Sequence, residues 1–192
     1  MNVLVVNGSP RKGGNTASLL DIVGEELKRE GIEVESIHMG GTPLAGCRAC
    51  NRCSTLGNSR CVMDDDGFND IFAKMVAADG IVLGSPTYFA DVTAEMKALI
   101  DRAGYVSLCN GGLLKRKVGA AVVSQFRSGS VHAFDTINHL FTYSEMVVVG
   151  SNNWNMGLGY EKGDVKNDES GLATMRILGT NMAWAMKRLC DN

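Results

Sequence analysis

The sequence predicts an α/β protein, a parallel β-sheet covered by helices on both faces. Three observations predict it. Apolar runs of strand length alternate with amphipathic helical segments along the whole chain. The runs Val3 to Val6 and Ile81 to Leu83 are apolar without interruption, as strands buried on both faces are. Each of those two runs ends in a turn built from Gly, Ser and Pro.

The elements follow in order. Val3 to Val6 is the first strand. A helix over 16–30 carries Leu20, Val23 and Leu27 on one face, with Asn15 as its N-cap and Gly31 as its stop. Residues 32–38 read as a second strand with a less regular pattern. Phe68, Ile71, Phe72, Met75 and Val76 recur at helical spacing behind Asp64-Asp65-Asp66, an acidic helix start. Ile81 to Leu83 is the third strand, and Met96, Leu99, Ile100 and Ala103 line the next helix. A strand over Val118 to Val123, a helix over 131–141 and a strand over Met146 to Val149 come next. Met175, Leu178, Met182, Ala185 and Leu189 form the stripe of the last helix. Five strands alternating with five helices imply right-handed crossovers and a parallel sheet. Ligands of such sheets lie beyond the carboxyl ends of the strands, near the reversal of strand order.

Composition sets further bounds. The chain has 192 residues, 45% apolar and 21% charged, with a net charge of −2. That suits one domain over 1–192 and offers no basic stripe for nucleic acid. No window holds the ~20 apolar residues of a membrane span. The N-terminal MNVLVVNG lacks the basic region and cleavage site of a secretory signal, so a cytoplasmic location is expected. There thiols stay reduced, and clustered cysteines point to metal or catalysis. Cys109 and Cys190 stand alone and read as apolar fillers or surface thiols.

The turn after the first strand is Asn7-Gly8-Ser9-Pro10-Arg11-Lys12-Gly13-Gly14-Asn15-Thr16. A strand, a glycine-rich turn and a helix N-terminus present backbone N–H groups and a positive dipole end to an anion. Ser9, Asn15, Thr16 and Ser18 add short donors, and Arg11 adds a clamp for a phosphate oxygen. The spacing is neither that of a dinucleotide fingerprint nor that of a nucleoside-triphosphate loop. Helix capping alone needs fewer polar groups than this turn carries.

The segment GSPRKGGNT resembles the phosphate loop of the flavodoxin-like NAD(P)H-dependent FMN reductases. Gly84-Ser85-Pro86-Thr87-Tyr88-Phe89 resembles their second flavin loop, and Met96 to Arg102 the helix behind it. The resemblance covers essentially the whole chain. It implies a flavodoxin-like, doubly wound five-stranded sheet of order 2-1-3-4-5, bound FMN, NAD(P)H as electron donor, and a homodimer or homotetramer. It also implies that Pro86, Thr87, Tyr88 and Phe89 touch the flavin. From the residues themselves, Pro86 stiffens the loop, and backbone N–H groups beyond it would face the polar edge of the ring. The competing reading has Tyr88 and Phe89 seal the core. In Ser124-Gln125-Phe126-Arg127-Ser128-Gly129-Ser130, the family places a small glycine-containing loop beside the flavin, which brings in Gly129. Arg127 is either a guanidinium near the reduced ring or a solvated loop arginine. Residues 150–166 form a long connection with Trp154 and Tyr160, a candidate cover for a neighbouring subunit's flavin or a seal for the dimer.

Cys47, Cys50, Cys53 and Cys61 form the pattern C-x2-C-x2-C-x7-C in an insertion after the second strand. Four thiolates suit a 4Fe–4S cluster, a tetrahedral zinc ion, or free redox-active thiols. The arrangement is similar to the iron–sulfur flavoproteins, a branch of the same family, in which a cluster relays single electrons to or from the flavin. The gap of seven before Cys61 is longer than in the tightest form of that motif. Three functions remain open. One is an enzyme in which NAD(P)H reduces FMN and FMN reduces a quinone, nitro compound, metal ion or similar acceptor. Another is an electron carrier with FMN and a 4Fe–4S cluster serving redox protein partners. The third is a non-redox module that uses the cysteines for zinc. No residue pattern marks a general acid–base pair, so catalytic side chains are not assigned.

Overall fold

The computed structural model describes residues 1–190, apart from the side chain of Cys190. The expectation for that thiol therefore lies outside the described residues. The strands are β1 (Asn2–Asn7), β2 (Glu33–His38), β3 (Gly80–Pro86), β4 (Val118–Gln125), β5 (Val147–Val148) and β6 (Met156–Leu158). The helices are α1 (Asn15–Arg29), α2 (Arg52–Leu56), α3 (Phe68–Ala77), α4 (Ala94–Cys109), α5 (Ser130–Tyr143) and α6 (Glu169–Cys190). All pairings between these strands are parallel, in the order β2-β1-β3-β4-β5, with β6 also on β4. This is the flavodoxin-like order. Strand order reverses between β1 and β3, so their carboxyl ends flank the crevice where ligands bind.

Alternation along the strands builds two cores. Val3, Val5, Val82 and Val122 face Leu19, Val23 and Leu27 of α1 and Met175, Leu178 and Met182 of α6. Leu4, Val6, Ile81, Leu83 and Val123 face α3, α4 and α5 through residues such as Phe72, Leu99 and Ile137. The central strands are apolar on both sides because both sides are covered. β2 lies at the sheet edge with only Val34 and Ile37 half-buried, which explains its weak pattern.

The structure departs from expectation in three places. The fifth strand, expected over 146–149, pairs through only two residues, and the chain then bulges out and returns as β6. Asn155 fills the gap. It is fully buried, donates through Nδ2 to the Ala121 carbonyl at 3.0 Å, and offers its own carbonyl to the Val123 N–H at 3.0 Å. The connection 150–166 thus holds a strand and the start of a 3-10 turn, Asp164–Asn167. Within the cysteine insertion, a short helix, α2, forms without a regular apolar pattern to announce it. Finally, Gly14 takes the N-cap position of α1, and Asn15 is its first helical residue.

Candidate flavin and cysteine sites

The loop between β1 and α1 is set for an anion. Residues Asn15, Thr16 and Ala17 open the helix, and their N–H groups precede the first intrahelical acceptor, Gly14, whose carbonyl serves Ser18 at 3.1 Å. No acidic side chain occupies the first turn, so the positive dipole end is left uncompensated. The loop is braced from within. The Asn7 carboxamide accepts from Ser9 N–H at 2.9 Å, and the Ser9 hydroxyl accepts from Arg11 N–H at 3.3 Å. A ring nitrogen of His38 lies 2.7 Å from the Ser9 carbonyl, which requires an N–H on that nitrogen. Gly40 presses on the same peptide: a Cβ there would fall 2.1 Å from the Ser9 carbonyl oxygen.

One cavity at the sheet rim brings together Ser9, Arg11, Asn15, Thr16, Pro86, Thr87 and Tyr88 from the two expected loops. Its far side is built by Ser124 and Gln125 at the end of β4, by Phe126 just beyond it, and by Tyr160 and Lys162 after β6. Phe126 and Tyr160 pack with ring centroids 4.5 Å apart. Arg11 Nη1 donates to the Tyr160 carbonyl at 3.1 Å, tying the aromatic wall to the phosphate loop. Thr16 and Ser124 hydroxyls meet at 2.8 Å, both residues buried.

Other expected residues are placed differently. Asn15 lines the cavity, but its carboxamide is engaged elsewhere. It donates to the Glu161 carbonyl at 2.9 Å and accepts from Gly163 N–H at 2.9 Å. One amide N–H and the carboxamide oxygen thus hold the 159–165 loop, which leaves the second amide N–H for the cavity that Asn15 lines. Ser18 lies off the cavity, with its hydroxyl directed to the Gly14 carbonyl at 3.4 Å. Phe89, Arg127 and Gly129 also do not line it. Phe89 is fully exposed at the tip of a tight turn in which Phe89 and Ala90 both have positive φ. Gly129 is pressed against that turn, since a Cβ on it would lie 2.9 Å from Ala90 Cα. The first N–H groups beyond Pro86 do not face a ligand. Thr87 N–H is bound to the Ser124 carbonyl at 2.8 Å and Tyr88 N–H to the Asp91 carbonyl at 2.7 Å. The Thr87 hydroxyl, in contrast, is buried and has no partner among the described residues.

That orphaned hydroxyl is the test of whether the rim suits FMN. Buried hydroxyls are rarely left unpaired, and this one belongs to a residue lining a cavity flanked by a helix N-terminus and two cations, Arg11 and Lys162. An anionic tail with a polar ring fits such surroundings.

The cysteine insertion docks on α4. Cys47, Cys50, Cys53 and Cys61 all line one small cavity together with Arg102, Tyr105 and Val106 of that helix. Cys53 is buried, Cys61 half-buried, and Cys47 and Cys50 exposed. Tyr105 donates to Asn51 Oδ1 at 2.6 Å, while Asn110 donates to the Cys53 carbonyl at 3.4 Å and accepts from Ser59 N–H at 2.9 Å. Asn69 of α3 brackets Cys61, accepting from its N–H at 2.8 Å and donating to its carbonyl at 2.9 Å. Asp66 accepts from Phe68 N–H at 3.2 Å, the helix-start role expected of the acidic run.

Cys109 packs against the core, as an apolar filler would, but it does not stand alone. It neighbours Cys53: burial, then the Cys109 thiol, push the Cys53 thiol above its ordinary value. Cys109, burial, and then Cys53 and Cys47 push the Tyr105 phenol up as well. The four cysteines of the motif thus share one cavity lining. Among the described residues, no three His, Cys, Asp or Glu side chains come together closely enough for a metal ion. The donor set, four thiols, is that of a sulfur-ligated iron cluster or a tetrahedral zinc ion alike.

A doubly wound sheet with a phosphate loop at its switch point and a cavity over the next two strand ends defines an FMN-type flavoprotein oxidoreductase. Family comparison agrees: residues 1–161 match the NADPH-dependent FMN reductase model, and the chain belongs to that family, within its iron–sulfur flavoprotein branch. It is 39% identical to an iron–sulfur flavoprotein of Methanocaldococcus jannaschii over 97% of this chain and 98% of that one. It is 32% identical to an iron–sulfur flavoprotein of Methanosarcina thermophila, covering 100% of this chain and 94% of the relative. The fold is similar to a WrbA-like flavodoxin from Agrobacterium tumefaciens, with a TM-score of 0.68, 18% identity, and coverage of 97% and 98%. The protein is an FMN-dependent oxidoreductase.

Proposed function

We propose that the protein takes electrons from NAD(P)H onto FMN at the sheet rim and exchanges them singly with a 4Fe–4S cluster held by Cys47, Cys50, Cys53 and Cys61. The observation that supports this reading best is the convergence of four thiols on one cavity docked on α4, the helix that begins at the second flavin loop. The naming of the relatives as iron–sulfur flavoproteins supports it further. FMN, when bound, accepts a hydride as two electrons and releases electrons one at a time.

The chain's own residues do the rest. The first-turn N–H groups of α1, the Ser9 and Thr16 hydroxyls, Arg11 and Lys162 would hold the phosphate. Pro86, Thr87 and Tyr88 would hold one side of the ring, and Phe126 with Tyr160 would exclude water from the other. Ser18, Phe89, Arg127 and Gly129 would contribute from outside the cavity, through the turns they brace. The acceptor is a small molecule such as a quinone, nitro compound or metal ion, or a redox protein. No described helix is long and apolar enough to cross a membrane. A cytoplasmic location is part of the proposal, and the free thiols of the cysteine insertion support it. Exposed Leu108, Tyr143 and Trp184 support a homodimer or homotetramer.

Anaerobic purification with iron, sulfide and flavin quantitation tests the reading. Wild type is expected to carry iron, sulfide and flavin, and Cys50→Ala to lose iron and sulfide while keeping flavin. Iron that survives the substitution would show the ligand set to be wrong.

A further inference from the structure

Among the described residues, Arg102 is the most deeply buried large side chain that carries a charge, at 1% exposure, and no part of the flavin site uses it. Its guanidinium reaches the cysteine insertion on both sides. Nη1 donates to the Ala45 carbonyl at 3.1 Å, and Nη2 donates to the Met63 carbonyl at 2.8 Å. Nη1 also pairs with Asp66, which itself accepts from Ala45 N–H at 3.0 Å. Ala45 lies two residues before Cys47, and Met63 two residues after Cys61. The fork therefore closes the neck of the insertion, with all four cysteines inside the loop it ties. The guanidinium stacks over the Phe68 ring at 4.0 Å from the centroid, which fixes its plane.

Those contacts use the two terminal nitrogens. Nε is buried and without a partner among the described residues, and Arg102 lines the same cavity as the four thiols. A charge-bearing donor so deep in the protein is seldom left with an unpaired N–H. Asp66 balances the guanidinium charge, so what the cavity gains from Arg102 is a directed donor more than a net positive field.

We propose that Arg102 is a positioning residue for the sulfur-bound metal group: its fork shapes the cysteine loop, and its Nε–H donates to a ligand sulfur. This rests on the reading of the cysteines as cluster ligands. Hydrogen bonds to cluster sulfurs draw electron density from them and favour the reduced state, raising the reduction potential.

The test compares wild type, Arg102→Lys and Arg102→Gln after anaerobic reconstitution with iron and sulfide. Flavin content should match across the three, since Arg102 lies outside the flavin cavity. Both variants should load less iron, and the clusters that do form should have a lower midpoint potential. Lys keeps the charge but lacks Nε–H, so it should not rescue the potential; rescue by Lys would overturn the hydrogen-bond assignment. A second measurement does not depend on loading of the variants. With 15N-labelled arginine, the Nε–H resonance missing from both variants should show a hyperfine shift when wild type is loaded. An unshifted resonance, or variants with unchanged loading and potential, overturns the proposal while leaving the cysteine reading intact. Wild type that takes up no iron overturns both.

Discussion

Thr87 offers the sharpest separation between a cavity shaped by chance and one shaped for a ligand. Its Oγ1 is buried and unpaired, while its backbone N–H is satisfied by Ser124. In the free protein a buried unpaired hydroxyl costs about 1–3 kcal/mol, with the lower end apt here because the side chain is only partly enclosed. Thr87→Val keeps the shape and removes the hydroxyl. The free protein should therefore be as stable as wild type or more stable, by up to about 1 kcal/mol. If bound FMN satisfies the hydroxyl, the variant forgoes that bond as well, worth about 0.5–1.5 kcal/mol. The two effects act in the same direction on affinity, together about 0.5–2.5 kcal/mol, or roughly 2- to 70-fold weaker FMN binding. Urea unfolding of flavin-free protein measures the first effect, and quenching of flavin fluorescence on titration measures the second. A variant clearly less stable when free, yet binding FMN within twofold of wild type, would refute the reasoning, because the hydroxyl would then have an unrecognised partner inside the protein.

Other outcomes follow from the same geometry. Gly40→Ala places a Cβ against the Ser9 carbonyl, and neither group is a side-chain end that can swing away. The phosphate loop should shift at a cost of about 1–3 kcal/mol, visible as a lower flavin-to-protein ratio after gel filtration. Asn15→Ala removes the bonds to Glu161 and Gly163. It should destabilise the protein by about 1–3 kcal/mol and speed hydrogen exchange at Gly163; unchanged exchange would mean that Asn15 does not hold that loop. Asp66 supplies a pH dependence. Burial pushes its carboxyl up, but hydrogen bonds from Arg102 and from Ala45 and Phe68 N–H outweigh this and hold it below the ordinary 3.8. A carboxyl that ionises more readily when folded stabilises the fold above its unfolded value, and that contribution is lost as pH falls below about 4. Asp66→Asn should cost about 3–5 kcal/mol at neutral pH by stranding Arg102, and its stability should fall less steeply than that of wild type on acidification. Parallel acid titrations by circular dichroism would show the difference in slope, and equal slopes would mean Asp66 does not carry it.

Much of this was legible in one dimension because it is local. The apolar runs of β1, β3 and β4 mark strands covered on both faces, and Ser9, Thr16 and Thr87 sit where strand-end loops must lie. The missed features need residues distant in sequence to meet. Asn15 has the composition of a phosphate donor, and it also braces a loop about 150 residues away. Tyr160 and Lys162 reach the cavity only because the chain returns to β4 as β6, an excursion that Asn155 makes possible by filling the gap. Three strand residues give too short a pattern to read. Arg102 shares its helix with Lys97 and Asp101, an exposed pair four residues apart, and so resembles another solvated charge until the insertion closes over it. Gly40 carries no signal at all without the neighbouring peptide.

The cysteine insertion leaves the sheet at the carboxyl end of β2, beside the phosphate loop, yet it comes to rest on α4. The helix links the two sites. At its start, the Thr93 hydroxyl donates to the Gly8 carbonyl of the phosphate loop at 2.9 Å, and Thr93 N–H donates to Ser85 Oγ at 3.1 Å. Nine residues on, about 14 Å along the axis at ~1.5 Å per residue, Arg102 gathers the neck of the insertion. Tyr105 and Asn110 continue the contact to the helix end. Buried Met96, Leu99 and Ala103 fix α4 to the sheet between these points. A packed helix cannot stretch, so the distance from the flavin loops to the cysteine cavity within one chain is set by helix geometry and not by the conformation of the insertion. Changes within the insertion can then alter what the sulfurs hold, and how tightly, without altering how FMN is held.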